Sequence, residues 1–144
     1  MTELEPIVIL CIEDNAGDAE LVRLSFKEFH IANEMLLARD GEEALNMLYQ
    51  RNGFEDTPAP DLILLDLNLP KIEGREILAD IKNDDKLKTI PVVVLSSSEA
   101  AEDIKEAYSL HANCFVSKPV SALEFIKTVS LITDFWITVA KRAA

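Results

Sequence analysis

Several residue types are scarce in this chain of 144 residues, and each shortage excludes a class of function. Only 14 lysines and arginines stand against 26 aspartates and glutamates, and the net charge of -12 opposes the attraction on which nucleic-acid binding depends. No apolar run approaches the roughly 20 residues that cross a bilayer, and the first six residues have no feature of a signal peptide. We therefore expect a cytoplasmic protein that binds neither nucleic acid nor membrane.

Glycine and cysteine are also rare. The four glycines are scattered, so no turn has the glycine cluster that surrounds the phosphates of a bound nucleotide. Cys11 and Cys114 lie within apolar runs, where we expect them to pack as small apolar side chains and to remain reduced. Neither cysteine nor histidine is placed to form a metal site with soft ligands.

The apolar residues form five short runs that alternate with segments of helical spacing. The runs cover residues 7–12, 35–38, 62–65, 92–95 and 114–116, and the helical segments cover 16–29, 41–50, 73–83, 99–110 and 121–141. Continuous apolar runs predict strands covered on both faces, and helical connections predict parallel neighbours. We therefore predict an α/β fold with a doubly wound, five-stranded parallel sheet and five helices. The length predicts one domain over residues 1–144, without a separate effector domain.

Charged residues follow three of these runs, at the point where each strand is predicted to end. Glu13 and Asp14 follow the first run, Asp66 the third and Lys118 the fifth. The carboxyl ends of parallel strands line one edge of a sheet, so these groups should converge. Like charges about 5 Å apart repel by on the order of 3 kcal/mol at an effective dielectric constant of 20, and Lys118 supplies only one positive charge. An all-oxygen cluster of this kind fits Mg²⁺.

A metal ion beside a carboxylate permits phosphoryl transfer. Asp66 would be the nucleophile, while Mg²⁺ and Lys118 would bind the phosphoryl oxygens. Ser96 directly follows the fourth run, so its hydroxyl could donate a hydrogen bond to the phosphoryl group.

Across essentially the whole chain, these residues resemble the receiver domain of two-component response regulators. The matching motifs are Glu13-Asp14, Asp66 in the segment 64–70, Gly74, Ser96 in the segment 94–97, and Lys118-Pro119. The resemblance implies a flavodoxin-like fold with strand order 2-1-3-4-5. It also implies that a sensor histidine kinase phosphorylates Asp66.

The resemblance further implies roles for individual residues. Mg²⁺ would be held by Asp14, Asp66 and the main-chain carbonyl of Asn68, with Glu13 acting through water. The bond between Lys118 and Pro119 would be cis. After phosphorylation Ser96 would move towards the phosphoryl group, and Phe115 would turn inward to fill the space.

The chain departs from the usual receiver pattern at two segments and resembles one subgroup of the family at two others. Ser96, Ser97 and Ser98 replace the more frequent threonine-led pattern, and 111–113 stands where the family often has glycine. Residues 111–115 and 135–136 are similar to those of stand-alone regulators that partner bacterial phytochrome-type kinases. This similarity suggests a phytochrome-type light-signalling phosphorelay, in which the next partner would be a histidine phosphotransfer protein or another downstream protein.

The last predicted helix has more apolar residues than one buried stripe can hold. One stripe consists of Phe125, Val129, Ile132 and Trp136, and other apolar residues lie beside it. We predict a homodimer through helix 4, strand 5 and helix 5. The predicted interface residues are Tyr108, Leu131, Phe135 and Trp136. Alternatively, Phe135 and Trp136 fold back over the domain as a cap.

The leading interpretation is a single-domain response regulator that catalyses only its own phosphorylation and dephosphorylation. One alternative is a dimeric scaffold that acts without phosphorylation, although the retention of every reacting group argues against it. Another is a phosphatase similar to haloacid dehalogenases. Such enzymes need a second carboxylate two residues after the nucleophile, where this chain has Asn68.

Overall fold

Strands and helices alternate along the whole described part of the chain. The structure is a computed structural model that describes residues 7–28 and 33–139. The strands are β1 (Ile7–Ile12), β2 (Asn33–Ala38), β3 (Leu62–Leu65), β4 (Val92–Ser96) and β5 (Cys114–Ser117). The helices are α1 (Ala16–Glu28), α2 (Gly41–Leu48), α3 (Gly74–Asn83), α4 (Ala101–Ser109) and α5 (Ala122–Asp134). A π-helix, Phe135–Val139, continues α5.

The five strands form one sheet in the order β2-β1-β3-β4-β5, and every neighbouring pair is parallel. This order confirms the predicted doubly wound fold. Most predicted boundaries are correct to within two residues. The last helix differs, because α-helical geometry ends at Asp134 and the wider π-helical turn follows. Residues 29 and 140–141 of the predicted helices lie outside the described residues.

Two apolar clusters cover the two faces of the sheet. The first includes side chains from α2, α3 and α4, and the second includes side chains from α1 and α5. Successive residues of β1 point to opposite faces, so Leu10 and Ile12 join the first cluster while Ile9 and Cys11 join the second. This arrangement explains why the central strands have continuous apolar sequences.

Polar residues begin three of the helices. The Asn15 side chain accepts a hydrogen bond from the Asp18 backbone at 2.9 Å, and the Asp40 side chain accepts one from the Glu43 backbone at 2.8 Å. The Ser121 hydroxyl accepts one from the Glu124 backbone at 3.4 Å. Each bond satisfies an N–H group that has no partner within its helix. The starts predicted for the first and last helices, at residues 16 and 121, are therefore correct to within one residue.

The two cysteines differ in burial. Cys11 in the central strand β1 is buried, whereas Cys114 in the edge strand β5 is only partly buried; both are free thiols. The expectation of a core position is thus correct for Cys11 and wrong in part for Cys114, because an edge strand has a neighbour on one side only.

Within residues 7–28 and 33–139, no helix is long and apolar enough to cross a membrane.

Gly74 allows α3 to start directly against the chain that leaves β3. A Cβ atom at this position would lie 2.5 Å from the Asp66 carbonyl oxygen and 2.5 Å from the Leu67 Cα. Both are backbone atoms, so no side-chain rotation relieves the clash. The backbone around Asp66 therefore depends on glycine at position 74.

We expect Gly74→Ala to lower the free energy of unfolding by about 1–3 kcal/mol, because overpacking here moves backbone. This loss would exceed the ~1 kcal/mol that alanine contributes to a helix relative to glycine. Urea denaturation measures the difference. Gly17→Ala is the matched control, since a Cβ there meets only the Asn15 side chain, at 3.2 Å. Equal stability of the Gly74→Ala variant and wild type would contradict the packing argument.

Candidate functional site

Backbone hydrogen bonds fix the positions of the charged residues at the carboxyl edge of the sheet. The Glu13 N–H donates to Ala38 at 2.9 Å, and the Asp66 N–H donates to Ile12 at 3.0 Å. The Lys118 N–H donates to the Ser96 carbonyl at 2.7 Å. Adjacent strands thus carry their last residues into one crevice. It is lined by Glu13, Asp14, Asn15, Asp18, Asp66, Asn68, Ser97 and Lys118.

Three carboxylates come together in this crevice. One oxygen from each of Glu13, Asp14 and Asp66 lies within 4.8 Å of the others. Glu13 and Asp66 are only 4% and 6% exposed, whereas Asp14 is open to solvent. Clustered carboxylate oxygens with one open side are the donor set that hard divalent cations prefer. The predicted residues therefore fit a divalent metal ion.

Lys118 makes ion pairs with three carboxylates. Its Nζ lies 2.7 Å from Glu13, 2.9 Å from Asp18 and 3.3 Å from Asp66, and its side chain is 10% exposed. The sequence had predicted Lys118 beside Glu13 and Asp66. Asp18 was missed, although it is an acidic residue in the first turn of the helix that directly follows Glu13 and Asp14.

These contacts shift two pKa values. Burial raises the pKa of Glu13 to about 7, and the charge of Asp66 adds to this effect while the hydrogen bond from Lys118 opposes it. Burial acts to lower the pKa of Lys118, but hydrogen bonds to Glu13 and Asp18 outweigh it and raise the pKa above its ordinary value. Lys118 is therefore a permanent cation, while Glu13 titrates near neutral pH.

The predicted hydroxyl and amide residues take different positions around the crevice. Ser96 is fully buried at the end of β4, and its Oγ accepts a hydrogen bond from the Ser98 backbone at 3.1 Å. Ser97 rather than Ser96 lines the crevice. Asn68 is exposed, and its backbone N–H donates to Asp66 Oδ1 at 3.1 Å.

A hydrogen-bond network connects the end of β4 to α3 and α4. The Ser98 hydroxyl donates to Asp103 at 2.5 Å, and Arg75 reaches the other oxygen of Asp103 at 2.6 Å. Arg75 also pairs with Glu106 at 3.1 Å. The hydrogen bond from Ser98, followed by the contact with Arg75, lowers the pKa of Asp103 below its usual range. The segment after Ser96 is thus tied to the first turns of α4.

Phe115 lies in β5, partly buried against the first apolar cluster. Its backbone N–H donates to the Tyr108 hydroxyl at 3.1 Å, so Tyr108 covers part of the sheet edge while its side chain is 48% exposed. This contact joins α4 to β5 at the predicted switch residue.

The other predicted interface residues differ from one another. Leu131 and Phe135 are 70% and 49% exposed, whereas Trp136 packs, partly buried, against the second apolar cluster. The two rings are in edge contact, with centroids 5.4 Å apart. The position of Trp136 matches the cap interpretation, while Leu131 and Phe135 present apolar surface.

The bond between Lys118 and Pro119 is trans, since the described residues contain no cis peptide bond. The implied cis bond is therefore wrong in this structure. The trans form is the intrinsically preferred one, by about 0.5–1 kcal/mol for a bond that precedes proline.

The raised pKa of Glu13 predicts a pH dependence of stability in metal-free protein. Glutamate in the unfolded chain loses its proton near pH 4.5, whereas Glu13 in the folded chain keeps it to about pH 7. The folded state binds more protons between these values, so the free energy of unfolding should fall across that range, by up to about 3 kcal/mol. Above pH 7 this contribution is lost. Urea denaturation should show a smaller decline for Glu13→Gln, and parallel pH profiles would contradict the assignment.

Known proteins of similar sequence and structure identify the family of this chain. Residues 9–130 match the response regulator receiver domain family. Response regulator Rcp1 of Synechocystis sp. is 45% identical over 132 residues, which are 92% of this chain and 90% of Rcp1. The structure of the phosphorylated cyanobacterial phytochrome response regulator RcpA superposes with a TM-score of 0.94 at 41% identity and covers 97% of this chain and 100% of its own.

The Mn²⁺-bound form of Rcp1 superposes with a TM-score of 0.92 at 43% identity, over 96% of this chain and 100% of its own. The structural similarity to RcpA agrees with the observed strand order, and the similarity to Mn²⁺-bound Rcp1 agrees with the cluster of carboxylates that fits a metal ion. The resemblance seen in the sequence motifs is confirmed: the chain belongs to the response regulator receiver domain family, a family of signalling proteins.

Proposed function

We propose that this receiver accepts a phosphoryl group on Asp66 from the phosphohistidine of a sensor kinase, in a Mg²⁺-dependent reaction that changes its protein contacts. One observation carries the proposal. The Asp66 carboxylate lies 3.3 Å from the Lys118 ammonium and within 4.8 Å of the Glu13 and Asp14 oxygens. Nucleophile, cation and metal ligands thus occupy one crevice.

We infer that the metal ion is Mg²⁺, held by the carboxylates of Asp14 and Asp66 and the main-chain carbonyl of Asn68, with Glu13 bound directly or through water. The oxygen donor set supports this inference, and the relative Rcp1 has been crystallised with Mn²⁺. When bound, the ion would neutralise negative charge on the phosphoryl oxygens.

The residues of the chain would perform the transfer as follows. A carboxylate oxygen of Asp66 attacks phosphorus, and the bond between phosphorus and the kinase imidazole breaks with its electron pair passing to nitrogen. Lys118 then donates to a phosphoryl oxygen in place of Asp66. The Ser96 hydroxyl, which now accepts from the Ser98 backbone, would turn to donate to a second phosphoryl oxygen.

The proposed switch uses residues that already connect β4, β5 and α4. Movement of Ser96 would take the acceptor away from the Ser98 backbone, and Ser98 is bonded to Asp103 at the start of α4. Phe115 would turn further into the first apolar cluster. The output would therefore arise on the surface of α4, β5 and α5.

The partner we propose is a phytochrome-type histidine kinase. The similarity to RcpA, a phytochrome response regulator, supports this choice. A histidine phosphotransfer protein or another downstream protein would receive the signal. Free thiols at Cys11 and Cys114 fit a reducing, cytoplasmic location.

The function predicts Mg²⁺-dependent incorporation of one phosphoryl group from a small acyl phosphate. Intact mass spectrometry should show the added group in wild type and none in Asp66→Asn, because the amide is a poor nucleophile. Asp80→Asn, which removes an exposed carboxylate on α3, is the control and should be labelled like wild type.

Other results would support other functions. Steady release of phosphate that disappears in Asp66→Asn would indicate a phosphatase. Absence of incorporation, together with unchanged partner binding by Asp66→Asn, would indicate a scaffold that acts without phosphorylation.

We also propose a homodimer through α4, β5 and α5. Leu131 on α5 is exposed, and so is Phe135, which begins the π-helix four residues later; Tyr108 on α4 is exposed as well. Exposed apolar side chains on neighbouring elements are typical of contact surfaces. The edge contact between the two rings would let Trp136, which packs on the core, hold the exposed ring of Phe135 in position.

Leu131→Glu tests this interface. Because Leu131 is 70% exposed, the variant should fold normally but repel its copy across the two-fold axis, and light scattering should show a shift from dimer towards monomer. Leu24→Glu on α1 is the control and should leave the mass unchanged. The interface would be excluded if Leu131→Glu stayed as dimeric as wild type, or if wild type were monomeric both with and without phosphorylation.

A further inference from the structure

The hydrogen bonds of Lys118 are fully used in this structure. An ammonium group has three N–H donors, and three carboxylates accept from it: Glu13, Asp18 and Asp66. Any phosphoryl oxygen that binds Lys118 must therefore replace one of them.

The three contacts of Lys118 with carboxylates differ in length, and phosphoryl transfer would affect each of them differently. The contact with Asp66 is the longest, at 3.3 Å against 2.7 Å for Glu13 and 2.9 Å for Asp18. It is also the contact that a phosphoryl oxygen on Asp66 would replace. Glu13 belongs to the carboxylate cluster that fits a metal ion, so its charge would be shared. Asp18 is the partner that neither change affects.

Asp18 is itself held in place. Its backbone N–H donates to the Asn15 side chain at 2.9 Å in the first turn of α1. The amino end of a helix favours an ionised carboxylate. The Lys118 side chain is 10% exposed, so little water is available to replace a lost partner. The ammonium is therefore positioned from α1 as well as from the strand ends.

We propose that Asp18 is a positioning residue, which holds the Lys118 ammonium beside Asp66 while the phosphoryl group is transferred. This inference rests on the proposed function, in which Lys118 binds the phosphoryl oxygens. Asp18 acts through Lys118 and does not contact the reacting atoms.

Two effects of removing the Asp18 carboxylate oppose each other. Loss of a negative charge near the crevice favours the approach of an anionic phosphodonor. Loss of the fixed partner leaves Lys118 less well placed and slows the transfer. The proposal requires the second effect to be larger.

The test compares Asp18→Asn with Glu20→Gln. Glu20 lies on the same helix and pairs with Arg23 at the surface, so its variant removes an equal charge without a change at Lys118. The rate of phosphoryl incorporation is measured against the concentration of acetyl phosphate at saturating Mg²⁺. We expect the maximal rate of Asp18→Asn to fall about three- to tenfold, with a half-saturating concentration within about twofold of wild type. Glu20→Gln should match wild type.

A maximal rate for Asp18→Asn equal to or above that of Glu20→Gln would overturn the proposal. The failure of the proposed function is recognised separately, since wild type itself would then incorporate no phosphoryl group. Thermal unfolding of both variants shows that each is folded before the rates are compared.

A second measurement needs neither metal nor phosphodonor. The ¹⁵N signal of a lysine ammonium is visible when hydrogen bonds slow the exchange of its protons with water. The Lys118 signal, identified by its absence in Lys118→Arg, should be sharp in wild type and Glu20→Gln and should broaden or disappear in Asp18→Asn. An unchanged signal in Asp18→Asn would show that Asp18 does not hold the ammonium.

Discussion

One ammonium group surrounded by three carboxylates holds the carboxyl edge of the sheet together. Lys118 follows β5. Among its partners, Glu13 follows β1, Asp66 follows β3 and Asp18 lies on α1. Buried charges of one sign repel strongly, and removal of the single opposite charge would leave several uncompensated carboxylates. Burial raises the pKa of Glu13, the charge of Asp66 adds to this shift, and the clustered carboxylate oxygens fit a divalent cation. The same cluster of charges thus joins the strand ends and provides the oxygen ligands that fit a metal ion.

The fold holds the charged residues of the site by backbone hydrogen bonds and the segment after Ser96 largely by side-chain hydrogen bonds. Glu13, Asp66 and Lys118 are fixed by backbone hydrogen bonds to neighbouring strands, and Gly74 allows α3 to support the backbone at Asp66. Ser96 instead leads into the segment before α4, whose contacts run through the side chain of Ser98. Side-chain hydrogen bonds at the surface are replaced at lower cost than the bonds of a buried sheet. The backbone at Asp66 is therefore held more firmly than the segment that leads into α4.

Much of the fold and of the site was predictable from local pattern. Apolar runs located the strands because buried parallel strands need apolar side chains on both faces, and helical spacing located the helices between them. The end of α5 was not predictable, since apolar residues continue past Asp134 while the helix changes to π geometry. The cis bond that the resemblance implies before Pro119 is also wrong in this structure, where the bond has the intrinsically preferred trans form.

The sequence by itself determined which charged groups reach the crevice, because Glu13, Asp14, Asp66 and Lys118 each follow a strand, and parallel strands end at one edge. Only the tertiary structure decided which of these groups share hydrogen bonds, and that Asp18 joins them from a helix. It also decided that Trp136 packs on the core while Leu131 remains exposed. The physical reason is that the spacing of residues along the chain predicts which side chains share a face of one helix or strand. Contacts between side chains of different helices and strands depend on how those elements pack together.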